Sequence, residues 1–278
     1  MFTTNPFSEL SQFIPPLAMQ LYVIAMIVLV VVGTLLDMAH KGSAKYFFEN
    51  AKKQEKEAKR SVGSVEKAGL AVSTIVNEVL TSSEFKRTQR RISHLFTMYG
   101  FSIFVLSTAV LIFGHAEEAH AGIWPLLWHL GALSLCFGGY WFWLFIRVDV
   151  SAEGVPWYRF TRGDIFIVSM LATCTFALIW SATQGGAIGW LFFTLFVASS
   201  TTLFSTVLWS KFAHMFFKPA AAYQKKLTRA DGSRENLPAI YDLTDPAVHA
   251  KFPDVPEYMG KNPPYMGKGI KREAPRHY

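Results

Sequence analysis

The stretch "AMQLYVIAMIVLVVVGTLL", Ala18 to Leu36, decides the fold. It carries no charge. At about 1.5 Å rise per residue it matches a bilayer's hydrocarbon core, which takes about 20 apolar residues to cross. No basic stretch precedes it, and its apolar run is too long for a cleavable signal, so it reads as a permanent span. Four further segments share its character: His94–Gly114, Ile123–Ile146, Asp164–Thr183, and a fifth that begins at Ile188 and runs into "SKFAHMFFKP" (Ser210–Pro219). Of the 278 residues 51% are hydrophobic and only 17% charged, too little polar surface for a soluble domain of this length. The sequence predicts an all-α membrane protein with five transmembrane helices.

Charge orients it. The turns "HAEEAHAG" (His115–Gly122) and "QGGA" (Gln184–Ala187) hold no Lys or Arg, and neither does the arm before Ala18. Twelve basic residues fall within 37–93, three within 147–163 and twelve from Lys211 onward. The positive-inside rule therefore predicts the N-terminus outside and the C-terminus in the cytoplasm. The expected parts are an N-terminal arm (1–17), a five-helix domain (18–218) with a helical cytoplasmic connection (37–93), and a Pro-rich tail (219–278). In the connection, "AKKQEKEAKR" (Ala51–Arg60) reads as a solvated face, and "AGLAVSTIVNEVL" (Ala68–Leu80) has an apolar stripe for the membrane surface or a partner. Prolines such as Pro238, Pro253 and Pro263 deny the tail a long helix, and Tyr241, Phe252, Tyr258 and Tyr265 are candidate docking anchors.

Several functions are excluded. The net charge of +7 follows from orientation and anionic lipid, with no stacking platform or recognition motif for nucleic acid. Cys136 and Cys174 both sit in apolar runs and offer no cluster or metal pair. Glycines, including Gly138–Gly139 and Gly185–Gly186, are isolated or in turns and form no dinucleotide fingerprint. The eight tryptophans mostly lie near segment ends, as in an interfacial belt, and "ASSTTLFST" (Ala198–Thr206) suits close helix packing in lipid.

Ionisable groups inside a bilayer are costly and usually functional, which singles out the histidines. His40, His249 and His277 read as surface residues. His115 and His120 bracket an outside turn with Glu117 and Glu118, as a polar cap or a weak metal or proton site. His129, two turns into the third segment, suits packing or a proton or quinone path. His94 follows Arg91 where the second segment leaves the cytoplasmic side, and His214 precedes Lys218 where the fifth returns. Both imidazoles then lie about 5–6 Å inside the flanking charge. Facing each other, they would suit bis-histidine haem ligation, with Arg90, Arg91, Lys211 and Lys218 as propionate partners. The alternative is that both border the interface and reach toward water.

The five-helix, N-out pattern, with "RRISHLFTMYGF" (Arg90–Phe101), "RVDVSAEGVPWYRFTRGDIF" (Arg147–Phe166) and "SKFAHMFFKP", resembles the cytochrome b membrane subunits of the respiratory nitrate reductase gamma type. That superfamily includes membrane subunits of sulfite-reductase-associated and heterodisulfide-reductase-like complexes. Within it the chain looks most like the anchors associated with adenylylsulfate reductase in sulfur-oxidising bacteria; the likeness spans Ala18 to Pro219. It implies one haem b on the cytoplasmic side, with His94 and His214 as axial ligands. Two-haem relatives carry a second histidine pair deeper on both helices, where this chain has Phe104 and Phe196; Phe cannot ligate iron. A substitute haem on His115 and His129 is the lesser alternative.

The implied function is a membrane anchor and electron conduit in a bacterial inner membrane. It would link a soluble cytoplasmic iron–sulfur/flavin oxidoreductase, adenylylsulfate reductase by this likeness, to the quinone pool. Electrons would flow from AMP plus sulfite to quinone. A haem-free structural anchor recruiting a soluble redox enzyme is the competing reading. A small transporter is a weaker one, since no broken-helix pair or inverted repeat appears.

Overall fold

A computed structural model describes residues 2–41, 43–85, 87–212, 214–233 and 245–254. Tyr241, Tyr258, Tyr265, His277 and most of the tail prolines lie outside the described residues. A short helix α1 (Pro6–Leu10) precedes α2 (Pro16–Lys41), α3 (Ser43–Glu57) and α4 (Ser64–Thr74), which continues as a π-helix over Ile75–Leu80. Next come α5 (Thr88–Gly114), α6 (Trp124–Trp141), extended by a π-turn over Phe142–Ile146, α7 (Ile165–Ala182) and α8 (Ala187–Ser205). The described chain ends in α9 (His214–Ala230) and α10 (Pro246–Lys251). Among the described residues five stretches are long and apolar enough to cross a membrane: Pro16–His40, Thr88–Gly114, Trp124–Ile146, Arg162–Ala182 and Ala187–Ser205. The chain is an all-α, five-span membrane bundle.

The bundle is built from two hairpins, α5–α6 and α7–α8, with α2 laid against α5 and α8. Glycine lets the first pair meet backbone to backbone. A methyl on Gly100 would lie 2.5 Å from the Leu135 amide nitrogen, and one on Gly131 2.7 Å from that of Phe104. One on Gly138 would lie 2.6 Å from the Ser93 carbonyl. Gly138 and Gly139 are thus mid-helix packing positions and not turn residues. Hydroxyls reinforce the contact: Ser93 donates to the Gly138 carbonyl (2.7 Å) and Ser134 to that of Phe96 (3.0 Å). The small, hydroxylated part of α8 serves α2 instead. There the Tyr22 hydroxyl reaches Ser200 (2.7 Å) and Thr201 (3.0 Å), a polar lock where lipid offers no competing partner.

The end of the bundle away from the basic segments is filled by rings. Phe104 packs on Trp128 (5.1 Å between centroids) and Phe196 (6.4 Å), and Trp180 stacks on Phe196 (5.7 Å). Trp128, Trp143 and Trp180 are buried, so these three belong to the core and not to an interfacial belt; Trp157, Trp190 and Trp209 remain exposed. Helix α1 plugs this end. Phe7 contacts Trp128 and Trp180 (5.9 and 5.5 Å), and the buried Asn5 amide donates to the carbonyls of His115 (2.7 Å) and Glu118 (3.1 Å). Gln184 donates to the Pro6 carbonyl (2.6 Å), so both turns of this end are tied to the arm.

At the basic end the fifth span stops at Ser205, short of the expected run to Lys218. The break over 206–212 buries both Val207, against Gly33, and Phe212, between Phe166 and Phe204. The Ser210 hydroxyl accepts the Phe212 amide (3.2 Å) and fixes the turn. Helix α9 then starts afresh and runs through Pro219, which forgoes one ladder bond, to Ala230. The start of the tail is therefore helical past Pro219, as far as Ala230. Helix α9 packs on α4 and its π-helical end, while Gln54 of α3 donates to Asp231 (2.6 Å) and the Lys59 amide to the Asp231 carbonyl (2.9 Å). These contacts assemble a three-helix unit from the 37–93 connection and the start of the tail.

Candidate functional site

The basic end carries the candidate site. His94 sits in the second turn of α5 and His214 on the first residue of α9, 120 positions apart, yet the two imidazoles lie within electrostatic range of each other. They share neighbours: Lys218 and Glu84 act on both rings. Helices α5 and α8 meet mainly through side chains such as Phe104 and Phe196, so His214 arrives by the break after α8 rather than along the fifth span. Burial, followed by the Lys218 and Lys211 cations, pushes the His214 imidazole below its ordinary value against the Lys211 carbonyl, which raises it.

Each ring is held by one nitrogen. His94 Nδ1 bonds the Ser82 hydroxyl (3.0 Å), and His214 Nδ1–H donates to the Lys211 carbonyl. The Ser82 oxygen also lies 3.5 Å from the Val79 carbonyl. Among the described residues no hydrogen bond reaches Nε2 of either ring. An anchored Nδ1 with an unengaged Nε2 is the arrangement common in metal-ligating histidines, so His94 and His214 are the residues that would hold a haem iron.

The surroundings are polar and aromatic. Phe85 lies 4.9 Å from the His94 ring, with Arg90 at 5.6 Å and Lys218 at 5.2 Å from the Phe85 centroid. The candidate cations have protein partners. Lys218 pairs with Glu84 (2.7 Å), Arg90 with Glu153 (2.8 Å), and Arg91 Nε donates to the Thr81 carbonyl (2.6 Å). Lys211 lays its stem over Gly163. Arg87 reaches Asp149 (2.5 Å), and that hydrogen bond, with two from Ser151, draws the Asp149 carboxyl down to about 2. The start of α5 is thereby stapled to the 147–164 loop. The loop is held from within by Arg147, 2% exposed, whose guanidinium bonds Asp164 (2.6 Å) and the carbonyls of Pro156 (3.0 Å) and Arg159 (2.8 Å).

The other candidate histidines are not brought to this cluster. His129 is fully buried, its Nδ1–H donating to the Pro125 carbonyl (2.7 Å) and its Nε2 accepting from Ser181 (2.8 Å). Both ring nitrogens are thus hydrogen-bonded within the core. His115 closes the end of α5 and pairs with Glu118 (2.8 Å), in keeping with a polar cap. Among the described residues no group of three or more His, Cys, Asp or Glu side chains is placed to hold a metal ion. The positions of a second haem pair, Phe104 and Phe196, are in contact within the aromatic core.

Sequence reading missed Ser82, Glu84 and Phe85. Ser82 is buried in a left-handed conformation (φ 48°), uncommon for a residue with a side chain, and that turn aims its hydroxyl at His94. The polar run "TSSEF" (Thr81–Phe85) before α5 falls in the connection read as helical and gives no sign of its target. Comparison with protein-family models, with curated proteins and with solved structures finds no match to this chain.

Proposed function

We propose that this five-span protein is a membrane anchor and electron-transfer subunit holding one haem b through His94 and His214 on the cytoplasmic side. It would pass electrons between a soluble iron–sulfur/flavin oxidoreductase and the quinone pool of a bacterial inner membrane. The observation that carries the reading is the pair of imidazoles, distant in sequence, gathered at the basic end with Nδ1 anchored and Nε2 unengaged. Haem, when bound, supplies one-electron redox chemistry. The chain's own residues do the rest. Ser82 and the Lys211 carbonyl anchor the two Nδ1 atoms, and Lys218, Lys211, Arg90 and Arg91 would supply positive charge for carboxylates at the membrane edge. The outer aromatic core supports one haem rather than two. The N-out, C-in orientation rests on the basic residues of 37–93, 147–163 and the tail. Adenylylsulfate reductase as partner, and AMP plus sulfite as electron source, rest on the family resemblance alone.

A reduced-minus-oxidised spectrum of the purified protein tests the proposal. A b-type signal is expected, lost in His94→Ala and in His214→Ala and retained in His129→Ala. Absence of any b-type absorption from fully reconstituted wild type would sink it. The haem-free anchor is favoured by a separate observation. Arg90 and Lys218 are already paired with Glu153 and Glu84, so two of the four candidate propionate partners are neutralised within the protein. On that reading both alanine variants leave the spectrum unchanged and loosen the contact between α5 and α9.

A further inference from the structure

Helix α4 and its π-helical continuation are inside out. In a water-soluble unit the apolar face packs and the polar face meets solvent. Over Ser64–Leu80 the reverse holds. Val65 (88% exposed), Val72 (61%), Ile75, Val76 and Leu80 point away from the protein. At about 100° per residue these positions form one stripe. The inward face mixes half-buried Leu70, Ala71 and Val79 with polar groups: Thr74 is buried, Ser73 accepts a bond from Lys226 of α9 (3.2 Å), and Glu78 pairs with the same lysine (3.5 Å). A contiguous apolar stripe turned outward marks a surface that meets apolar surroundings.

A second observation says what those surroundings are. The C-terminal end of this segment runs into the lipid-facing side of α5. The Tyr99 hydroxyl donates to the Leu80 carbonyl (2.7 Å), Arg91 to the Thr81 carbonyl (2.6 Å), and Ser82 meets His94. Tyr99 stands in a row of exposed apolar residues on α5, with Ile92, Phe96 and Ile103. Side chains of a helix lean toward its N-terminus, so the Tyr99 hydroxyl reaches back to the level of His94. Leu80 therefore sits below the charged rim of α5, and its exposed stripe continues the surface that this span presents to hydrocarbon.

We infer that Ser64–Leu80 is an in-plane membrane helix, seated with Val65, Val72, Ile75, Val76 and Leu80 at the headgroup–acyl boundary of the leaflet on the basic side. Its occupant is lipid, and not a soluble protein. Its polar back holds α9, and through α9 the His214 end of the site, against the bilayer. Such a helix takes its binding free energy from buried apolar area. The inference does not depend on haem.

Spin labels at positions 72 and 76, and at 66 on the polar flank, in a Cys136→Ala/Cys174→Ala background reconstituted into nanodiscs without any partner, test this. Labels at 72 and 76 are expected to lose accessibility to a water-soluble nickel chelate while remaining open to oxygen; the label at 66 behaves oppositely. Hydroxyl-radical footprinting of unmodified protein in the same discs guards against a misfolded variant. It should show Val72, Ile75, Val76 and Leu80 protected by lipid alone. Nickel access at 72 and 76, or protection that appears only when a soluble protein is added, overturns the inference.

Discussion

Replacing Arg147 by methionine removes a cation from a site that water barely reaches. The guanidinium makes three hydrogen bonds, to Asp164, Pro156 and Arg159, and lies 4.0 Å from the Trp143 ring. Without it the Asp164 carboxylate keeps only the Thr161 amide and hydroxyl, both at 2.8 Å, and two carbonyls lose their donors. Breaking one side of a buried pair costs about 3–5 kcal/mol. The two carbonyl bonds, at about 1 kcal/mol each, fall largely within that figure. Asp164→Asn should cost less, about 1–3 kcal/mol, because the amide oxygen still accepts from Thr161. The double variant should then lose less than the two single losses combined, with a coupling of about 1–3 kcal/mol. Equilibrium unfolding in mixed micelles, followed by the fluorescence of the buried tryptophans, measures all three. Losses that add to within about 0.5 kcal/mol would refute the view that this pair holds the loop.

Asn5→Ala should destabilise the bundle by about 2–3 kcal/mol, since the side chain makes three buried or half-buried bonds, and Phe7→Ala by about 3–5 kcal/mol. Thermal melting in detergent checks both. Gly131→Ala should cost about 1–3 kcal/mol by forcing α5 and α6 apart, whereas Gly114→Ala, with open space around it, should be near neutral. The Asp149 carboxyl lies below its ordinary value, so the stability it contributes is present above pH 3.8 and lost as pH falls through about 2. Carbon-13 NMR of the labelled carboxyl should show that titration, and Arg87→Gln should move it upward.

The spans were legible because a bilayer sets their length, and uninterrupted apolar runs near 20 residues have no other common use. His94 and His214 stood out by their depth relative to Arg91 and Lys218, a comparison that needs only the helical rise. The break after Ser205 was hidden because "SSTTLFSTVLWSKFAHMFF" (Ser199–Phe217) has no proline or glycine; what ends the helix is the burial of Val207 and Phe212 by residues far away in sequence. The role of Gly100 and Gly131 escaped notice because each looked isolated in its own helix and gains meaning only opposite the other. The apolar stripe of Ala68–Leu80 was visible, but its outward direction follows from which side α9 takes. Arg147 read as a flanking charge, and its burial depends on a loop that folds back over it.

The two ends of the bundle are electrically unequal. His94 lies one turn past Arg91, about 5 Å inside the charged rim, against about 30 Å of hydrocarbon. A unit charge that reaches the imidazole pair from the basic side therefore crosses about one sixth of the membrane field. It senses about 0.4 kcal/mol per 100 mV, where a full crossing costs about 2.3. From the other side it would meet Phe7, Phe104, Trp128, Trp180 and Phe196, packed ring on ring. A charge reaching this place from the basic face would therefore be nearly voltage-blind.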